Sequence, residues 1–427
     1  MKVVIMAGGK GTRIAEINKD VPKPMIEINN KPILEYQIDF FEKNNFKDII
    51  IVVGHLKEVI MDYFGNGEKF GVNITYFEEE VPLGTAGSFF YLKKYIHDED
   101  FILVNGDLIF EVDFEKMIDF HKKNKALVTL CTHPNNHPYD SAIIVTDNKQ
   151  NVIKWLNKED ERTYYSNRVN SGIHILNSKI LDYVEEPKKT DLDRDILKKL
   201  VNTNKMFAYD TPEYIKDMGT PDRYFQVSND LRIGKVSAKN LKNKQKAFFI
   251  DRDGVINKYV GFLRNIDQFE LIDDVAEGIK LINESGYLAI IVTNQPVIAR
   301  GEVTEEQLNM IHNKMETLLG EKGAYIDKIY YCPHHPHKGY EGEIPELKIE
   351  CDCRKPKPGM ILKAAKDYNI SLKDSYMVGD SENDILAGKN AKCKTILINE
   401  NNLEYGQDYY FNSFYRGIKK ILSNDNK

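Results

Sequence analysis

The run Phe248-Phe-Ile-Asp-Arg-Asp-Gly-Val-Ile-Asn257 constrains the fold more than any other stretch of the chain. Its apolar start is of strand type, and it delivers Asp251 and Asp253 onto a loop that Gly254 frees to turn. Two carboxylates therefore converge at the carboxyl end of a buried strand. In an open α/β sheet such ends face a crevice where ligands bind. With aspartates two residues apart, one carboxylate can attack a phosphorus while the other handles the proton of the leaving oxygen. A D-x-D tripeptide alone also occurs in solvated turns, so its flanks decide the reading.

A chain of 427 residues exceeds what one hydrophobic core supports, and about 150 residues per domain implies two or three. Content of 42% apolar and 29% charged residues is that of globular protein, and a formal charge of −6 argues against a general nucleic-acid or anionic-membrane binder. No apolar run approaches the roughly 20 residues that span a bilayer, and Met1 to Gly9 is too short for a signal-peptide core. The expected compartment is the cytoplasm. Of five cysteines, Cys332, Cys351 and Cys353 cluster with a histidine, which fits metal binding better than disulfides.

In the first half, Lys2 to Ala7 reads as a buried strand followed by Gly8-Gly9-Lys10-Gly11-Thr12-Arg13. Glycines at 8, 9 and 11 let backbone N–H groups approach a phosphate. The loop matches neither the dinucleotide G-x-G-x-x-G pattern nor a P-loop. Val21-Pro-Lys23-Pro-Met25 holds one ammonium between two prolines. Together these segments resemble the signature of the sugar nucleotidyltransferases, which join a nucleoside triphosphate to a sugar 1-phosphate. Helical spacing over 33–44 and β-branched strands over 48–53 and 72–77 give the alternation that fold needs.

Phe101 to Asp107 is a strand ending in a carboxylate, and Asp217 supplies a second, a pair suited to Mg²⁺. The resemblance makes Asp107 and Asp217 the magnesium ligands, Arg13 with the glycine loop and Thr12 the triphosphate cradle, and Lys23 a neighbour of the reacting phosphates. It places Gly84 and Thr85, in a segment opening a helix, against the nucleobase. Asn157-Lys158-Glu159 stands where relatives have Glu-Lys-Pro, and Asn170-Ser-Gly172 provides the sugar-binding Asn-x-Gly. Lys158 is left to meet the sugar phosphate, and the missing glutamate points to an unusual sugar. His133, His137 and Asp140 read as a sugar loop or as a proline-rich surface turn, with the turn favoured. The resemblance covers about residues 1–233.

The lysine-rich stretch 234–246 shows no core face and reads as a linker, leaving 247–427 as a second domain. A helix is expected over 274–285 and a strand over 287–292, ending in Thr293-Asn294, whose hydroxyl and amide can hold phosphoryl oxygens. A helix over 304–320 follows, capped by Thr304. Cys332-Pro-His334 and Cys351-Asp-Cys353 offer three thiolates and one imidazole in two short clips, the inventory of a structural zinc site. His335 and His337 compete for the imidazole role. Arg354 and Lys355 leave the second clip directly, and 376–378 form a strand running into the acidic loop Asp380-Ser-Glu-Asn-Asp384.

Asp251/Asp253, Thr293, Lys355 and Asp380 together resemble the four motifs of the haloacid dehalogenase superfamily. That resemblance implies Asp251 as nucleophile, Asp253 as acid and base, Thr293 and Lys355 on the transferring group, and Mg²⁺ at Asp251, Asp253 and Asp380. The run through Asn294-Gln295, Ala299-Arg300-Gly301 and the cysteine clips is similar to the heptose 1,7-bisphosphate phosphatases, which adds Asn294, Arg300 and Arg354 as substrate contacts. Pro296-Val297 and Ser381 depart from that pattern.

The fold class implied is α/β: two doubly wound domains, a Rossmann-like nucleotidyltransferase followed by a capless phosphatase with a zinc-bound loop. Removing the phosphate at carbon 7 leaves a sugar 1-phosphate, which is what a nucleotidyltransferase consumes. The expected function is bifunctional, turning heptose 1,7-bisphosphate and a nucleoside triphosphate, GTP by expectation, into nucleotide-heptose, with neither nucleic acid nor membrane as partner. The alternative is a hexose or amino-sugar 1-phosphate nucleotidyltransferase fused to a histidinol-phosphate-type phosphatase. A nucleotide-sugar sensor would not need the intact side chains at Lys23, Asp107, Asp217, Asp251, Asp253, Lys355 and Asp380.

Overall fold

A computed structural model describes residues 1–9, 21–401 and 403–425. Two compact units are present: the first takes Met1–His133, Ile144–Leu156 and Asn170–Asn240, and the second Pro134–Ile143, Asn157–Val169 and Leu241–Lys427. Gly11, Thr12 and Arg13 lie outside the described residues.

In the first unit the β-branched runs become β1 (Val3–Met6), β2 (Asp48–Val53), β3 (Asn73–Glu78) and β4 (Asp100–Asn105). β1 pairs in parallel with β2 on one side and β4 on the other, and β3 follows β2. This is the order 3-2-1-4, whose reversal beside β1 opens a crevice at the carboxyl ends of β1 and β4. The sheet continues past β4 through the antiparallel strand Val169–Asn177. Helix Ile33–Lys43 buries Leu34, Ile38, Phe40 and Phe41 against it. β5 (Leu108–Glu111) and β6 (Tyr214–Asp217) form a separate antiparallel ribbon in which Asp217 opposes Leu108. The expected helix at 83–87 is instead a series of turns, and helix begins only at Phe89. Gly84 has φ +79°, and Thr190 N donates to Leu83 O at 2.9 Å, which ties this stretch to another loop.

The second unit is built on six parallel strands: β7 (Ala247–Ile250), β8 (Leu288–Asn294), β9 (Lys328–Cys332), β10 (Tyr376–Gly379), β11 (Lys394–Ile398) and β12 (Tyr409–Phe411). Their order, β9-β8-β7-β10-β11-β12, is the doubly wound 3-2-1-4-5-6. Helices Val275–Ser285, Glu305–Glu321, Gly359–Asp367 and Glu382–Asn390 connect them. Thr304 caps the second of these through Gln307 N at 3.1 Å, and Gln307 returns the bond to Thr304 N, a capping box. No folded insertion separates β7 from the first helix; residues 251–274 are a loop with one short turn at Ile266–Gln268. The lysine-rich junction has core contacts after all, since Val236 and Leu241 are buried in apolar clusters. Among the described residues no helix is long and apolar enough to cross a membrane.

Candidate active sites

In the second unit the switch point lies between β7 and β10. Asp251 follows β7 and Asp380 follows β10, tied by Asp251 N donating to Val378 O at 2.9 Å. Three carboxylates, Asp251, Asp380 and Asp384, offer oxygens within 4.8 Å of one another. Lys355 reaches between two of them, 2.8 Å from Asp251 Oδ1 and 2.5 Å from Asp384 Oδ1. Gly254 has φ +88°, and a Cβ there would fall 2.1 Å from Asp380 Oδ2, so a side chain at this turn would displace the acid it faces.

Burial pushes the Asp251 carboxyl up to about 7 and Asp380 up to about 6, with Asp384 adding repulsion and Lys355 opposing it. Burial alone would lower the Lys355 ammonium, but Asp251 and Asp384 more than offset this and hold it charged. Three acids share one ammonium. A divalent cation fits that deficit, and the oxygen-only donor set is of the kind magnesium takes.

Asp253 is not one of the three. It accepts from Arg252 Nη2 at 2.8 Å, Asn257 Nδ2 at 3.1 Å and Gln295 Nε2 at 2.9 Å, which aims it without tying it to the other three carboxylates. Thr293 Oγ1 accepts from Gln295 Nε2 at 2.9 Å. Asn294 donates to Lys355 O and accepts from Lys355 N, both at 3.0 Å, so its amide positions the lysine. Asp251, Asp253, Thr293, Asn294, Arg354 and Lys355 all line one cavity of about 300 Å³, with Tyr259 and Phe262 on its rim. Arg300 lies behind Phe262, its guanidinium 4.1 Å from that ring and 4.5 Å from Tyr340.

The two clips meet. Cys353 Sγ lies 3.2 Å from both Cys332 Sγ and Cys351 Sγ and 3.3 Å from His334 Nδ1, and Cys332 Sγ lies 3.7 Å from that nitrogen. Tetrahedral zinc with bonds near 2.3 Å places ligand atoms about 3.7 Å apart, so the four groups fit the ion with small adjustments. His335 is engaged elsewhere, by His337 O at 3.1 Å and Arg300 at 3.2 Å.

In the first unit Lys23 pairs with Asp107 Oδ2. Asp217 accepts from Arg223 Nη1 at 2.8 Å on both oxygens and from Gly219 N at 2.7 Å on Oδ1, and Met218 N donates to Asp107 O at 3.1 Å. The two aspartates therefore adjoin. Burial would raise the Asp217 carboxyl, but Arg223 and Lys23 bring it below its ordinary value. Asp217 Oδ2 keeps an open lone pair after the arginine, so the pair can still take a hard cation.

Gly172, φ +78°, leaves no room for a Cβ, which would fall 2.4 Å from Asn105 Nδ2. Asn170 hydrogen-bonds Asp193, whose carboxyl burial pushes up to about 6. Thr85 Oγ1 accepts from Leu192 N at 2.7 Å, a role internal to the fold. Gly8 adjoins Gly54, and among the described residues a Cβ at Gly9 would meet nothing within 4 Å. Lys158 and the turn of His137 and Asp140 fall in segments of the second unit, where His137 Nδ1 is 2.8 Å from Asp140 Oδ1.

The nucleotidyl transferase family matches residues 2–233, and a HAD-hydrolase-like family matches residues 352–407. A D-glycero-beta-D-manno-heptose-1,7-bisphosphate 7-phosphatase of Pasteurella multocida is 47% identical over 155 residues, 36% of this chain and 82% of that protein. The chain belongs to both families, nucleotidyl transferases and these phosphatases. A mannose-1-phosphate guanyltransferase of Candida glabrata is 33% identical over 56% of the chain and 67% of its own length. A UTP–glucose-1-phosphate uridylyltransferase of Synechocystis is 27% identical over 78% of the chain and 87% of its length.

Asp384, Arg223 and Arg252 are the site neighbours that sequence reasoning missed. Asp384 stood in an acidic loop with Glu382, and only the capping box it makes with Ser381 turns it inward. Arg252, fully buried, sat unread between the two aspartates of the motif.

Proposed function

We propose that this chain is a bifunctional enzyme of nucleotide-heptose synthesis, acting in the cytoplasm. The second unit removes the phosphate at carbon 7 of D-glycero-D-manno-heptose 1,7-bisphosphate, and the first transfers GMP from GTP to the resulting heptose 1-phosphate. The observation that carries the reading is the 47% identity to a 7-phosphatase joined, in one chain, to a domain that consumes sugar 1-phosphates. Support for guanine is the 33% identity to a guanyltransferase over 56% of the chain, against 27% to a uridylyltransferase over 78% of it.

In the phosphatase step Asp251 attacks the phosphorus and the bond to the carbon-7 oxygen breaks. Asp253 gives that oxygen its proton, then takes one from the water that hydrolyses the aspartyl phosphate. Lys355 and Thr293 hold the transferring oxygens, and Asn294 holds Lys355. Mg²⁺ bound at Asp251, Asp380 and Asp384 would supply charge neutralisation. In the transfer step a sugar-phosphate oxygen attacks the α-phosphorus in line and pyrophosphate leaves, so Lys23 and Arg13 mainly position anions. Asp107 and Asp217 would hold the magnesium of this site. Zinc at Cys332, His334, Cys351 and Cys353 is structural, setting where Arg354 and Lys355 point.

Incubation with the bisphosphate and GTP tests this. One phosphate, one pyrophosphate and nucleotide-heptose are expected. Phosphate release with no nucleotide-sugar from any triphosphate would overturn the coupling.

A further inference from the structure

Gln295 stands one residue past the end of β8 and is buried, with 2% of its surface exposed. Its backbone N–H donates to Cys332 O at 2.8 Å, which fixes the residue against the end of β9. The side-chain nitrogen makes two hydrogen bonds of 2.9 Å, to Asp253 Oδ2 and to Thr293 Oγ1. An amide nitrogen carries two hydrogens, so both are used. An ionised carboxylate only accepts, which turns the amine rather than the carbonyl toward Asp253, and the same amine then meets the threonine.

The two acceptors serve different parts of the reaction. Asp253 moves the proton of the leaving oxygen, and Thr293 holds an oxygen of the transferring group. For Thr293 the direction of the bond decides its use. A hydroxyl that accepts from Gln295 keeps its own hydrogen for another acceptor, and among the described residues it donates to none. Thr293 lines the cavity, so that hydrogen is left for a phosphoryl oxygen. For Asp253 the other donors come from its own loop. Arg252 Nε and Asn257 Nδ2 each reach Oδ1 at 3.1 Å, and Arg252 Nη1 lies 3.2 Å from His312 Nε2. Gln295 adds a donor from a second strand, and the carboxylate can no longer turn with its loop.

We propose that Gln295 is a positioning residue of the phosphatase reaction: its amine sets the Asp253 carboxylate for proton transfer and leaves the Thr293 hydroxyl hydrogen to the transferring phosphoryl group. This rests on the reading of the second unit as a phosphatase that works through Asp251.

The test compares two substrates of the full chain by kcat/KM for phosphate release. Heptose 1,7-bisphosphate has an alkoxide leaving group that needs a proton, and p-nitrophenyl phosphate has a phenolate that leaves without one. Gln295→Glu keeps the shape but, ionised, has no hydrogen to donate; Gln295→Leu removes the donors without adding charge. In both variants the bisphosphate reaction should fall about 100-fold or more, the scale of a misplaced general acid, and the aryl reaction less than about 10-fold. The retained aryl activity shows that the variants fold. An equal loss for both substrates would reduce Gln295 to a structural role and overturn the proposal, as would unchanged rates. In a Thr293→Val background the aryl loss caused by Gln295→Leu should vanish, because the hydroxyl it oriented is gone. A persisting aryl loss there would overturn the assignment to Thr293. A native chain that releases phosphate from neither substrate would refute the phosphatase reading instead of this residue.

Discussion

Lys355, buried between Asp251 and Asp384, serves both carboxylates at once. Replacing Asp384 by asparagine removes one of its two partners and one acid of the trio that could hold a cation. Phosphate release should fall by about 100-fold or more, the scale of losing one preorganised electrostatic contact, while nucleotide transfer stays at the native rate. Unimpaired phosphatase activity would remove Asp384 from the site. Glu79, one residue beyond β3 and faced by Gly8 and Gly54, makes a different prediction, on stability. Its folded pKa of about 7 exceeds the ordinary 4.5, so the fold binds that proton more tightly than the open chain does. The resulting cost is absent below pH 4.5 and fully present above about 7. Glu79→Gln should therefore melt higher than the native chain at pH 8, with the gap closing as pH falls toward 5. Asp251, Lys355 and Asp380 were legible in the sequence because each ends a strand or a metal clip within a motif. Asp384 was not, because its meaning comes from a helix cap.

At the scale of elements, two clips of cysteine and histidine flank a loop, 335–350, that has little apolar content of its own. Cys332 ends β9, while Cys351 and Cys353 immediately precede Arg354 and Lys355. Metal analysis of purified protein should find about one zinc per chain, the stoichiometry of a single four-ligand site. Chelation or Cys351→Ser should then depress the melting of the second unit and lower phosphate release at least about 10-fold, because the clip aims the lysine. Full phosphatase activity in zinc-free protein would contradict this. The elements themselves were readable where burial and periodicity agreed, as in the strands over 48–53 and 376–379 and the helix at Glu305–Glu321. The stretch 83–87 defeated that reading. Small residues favour a helix start, but Gly84 lies 2.5 Å, measured from its would-be Cβ, from Thr190 O, a tertiary contact that fixes turns instead.

For the whole molecule, sequence similarity and compactness divide the chain differently. The transferase family spans residues 2–233, yet 134–143 and 157–169 within it belong to the second compact unit. Their attachments are specific. Arg168 pairs with Glu316 at 3.1 Å, with only 12% and 4% of the two side chains exposed, and also donates to Asp327 O at 2.9 Å. Thr317 accepts from Tyr165 N at 2.9 Å and donates to Tyr165 O at 3.2 Å. Pro138 packs so closely on Gly320 that a Cβ there would come within 2.7 Å of its ring. A fragment starting at residue 241 therefore keeps every phosphatase motif and loses the partners of Glu316 and Thr317. Breaking a buried ion pair from one side costs roughly 3–5 kcal/mol, since the remaining charge stays desolvated. Urea unfolding should show the isolated 241–427 fragment less stable than the second unit in the full chain by at least about that amount, and Arg168→Ala in the full chain should reproduce most of the loss. A fragment with the same midpoint and slope as the intact protein would mean that the two segments rest on the second unit without supporting it. The family boundary near residue 233 would then also be the boundary of cooperative folding.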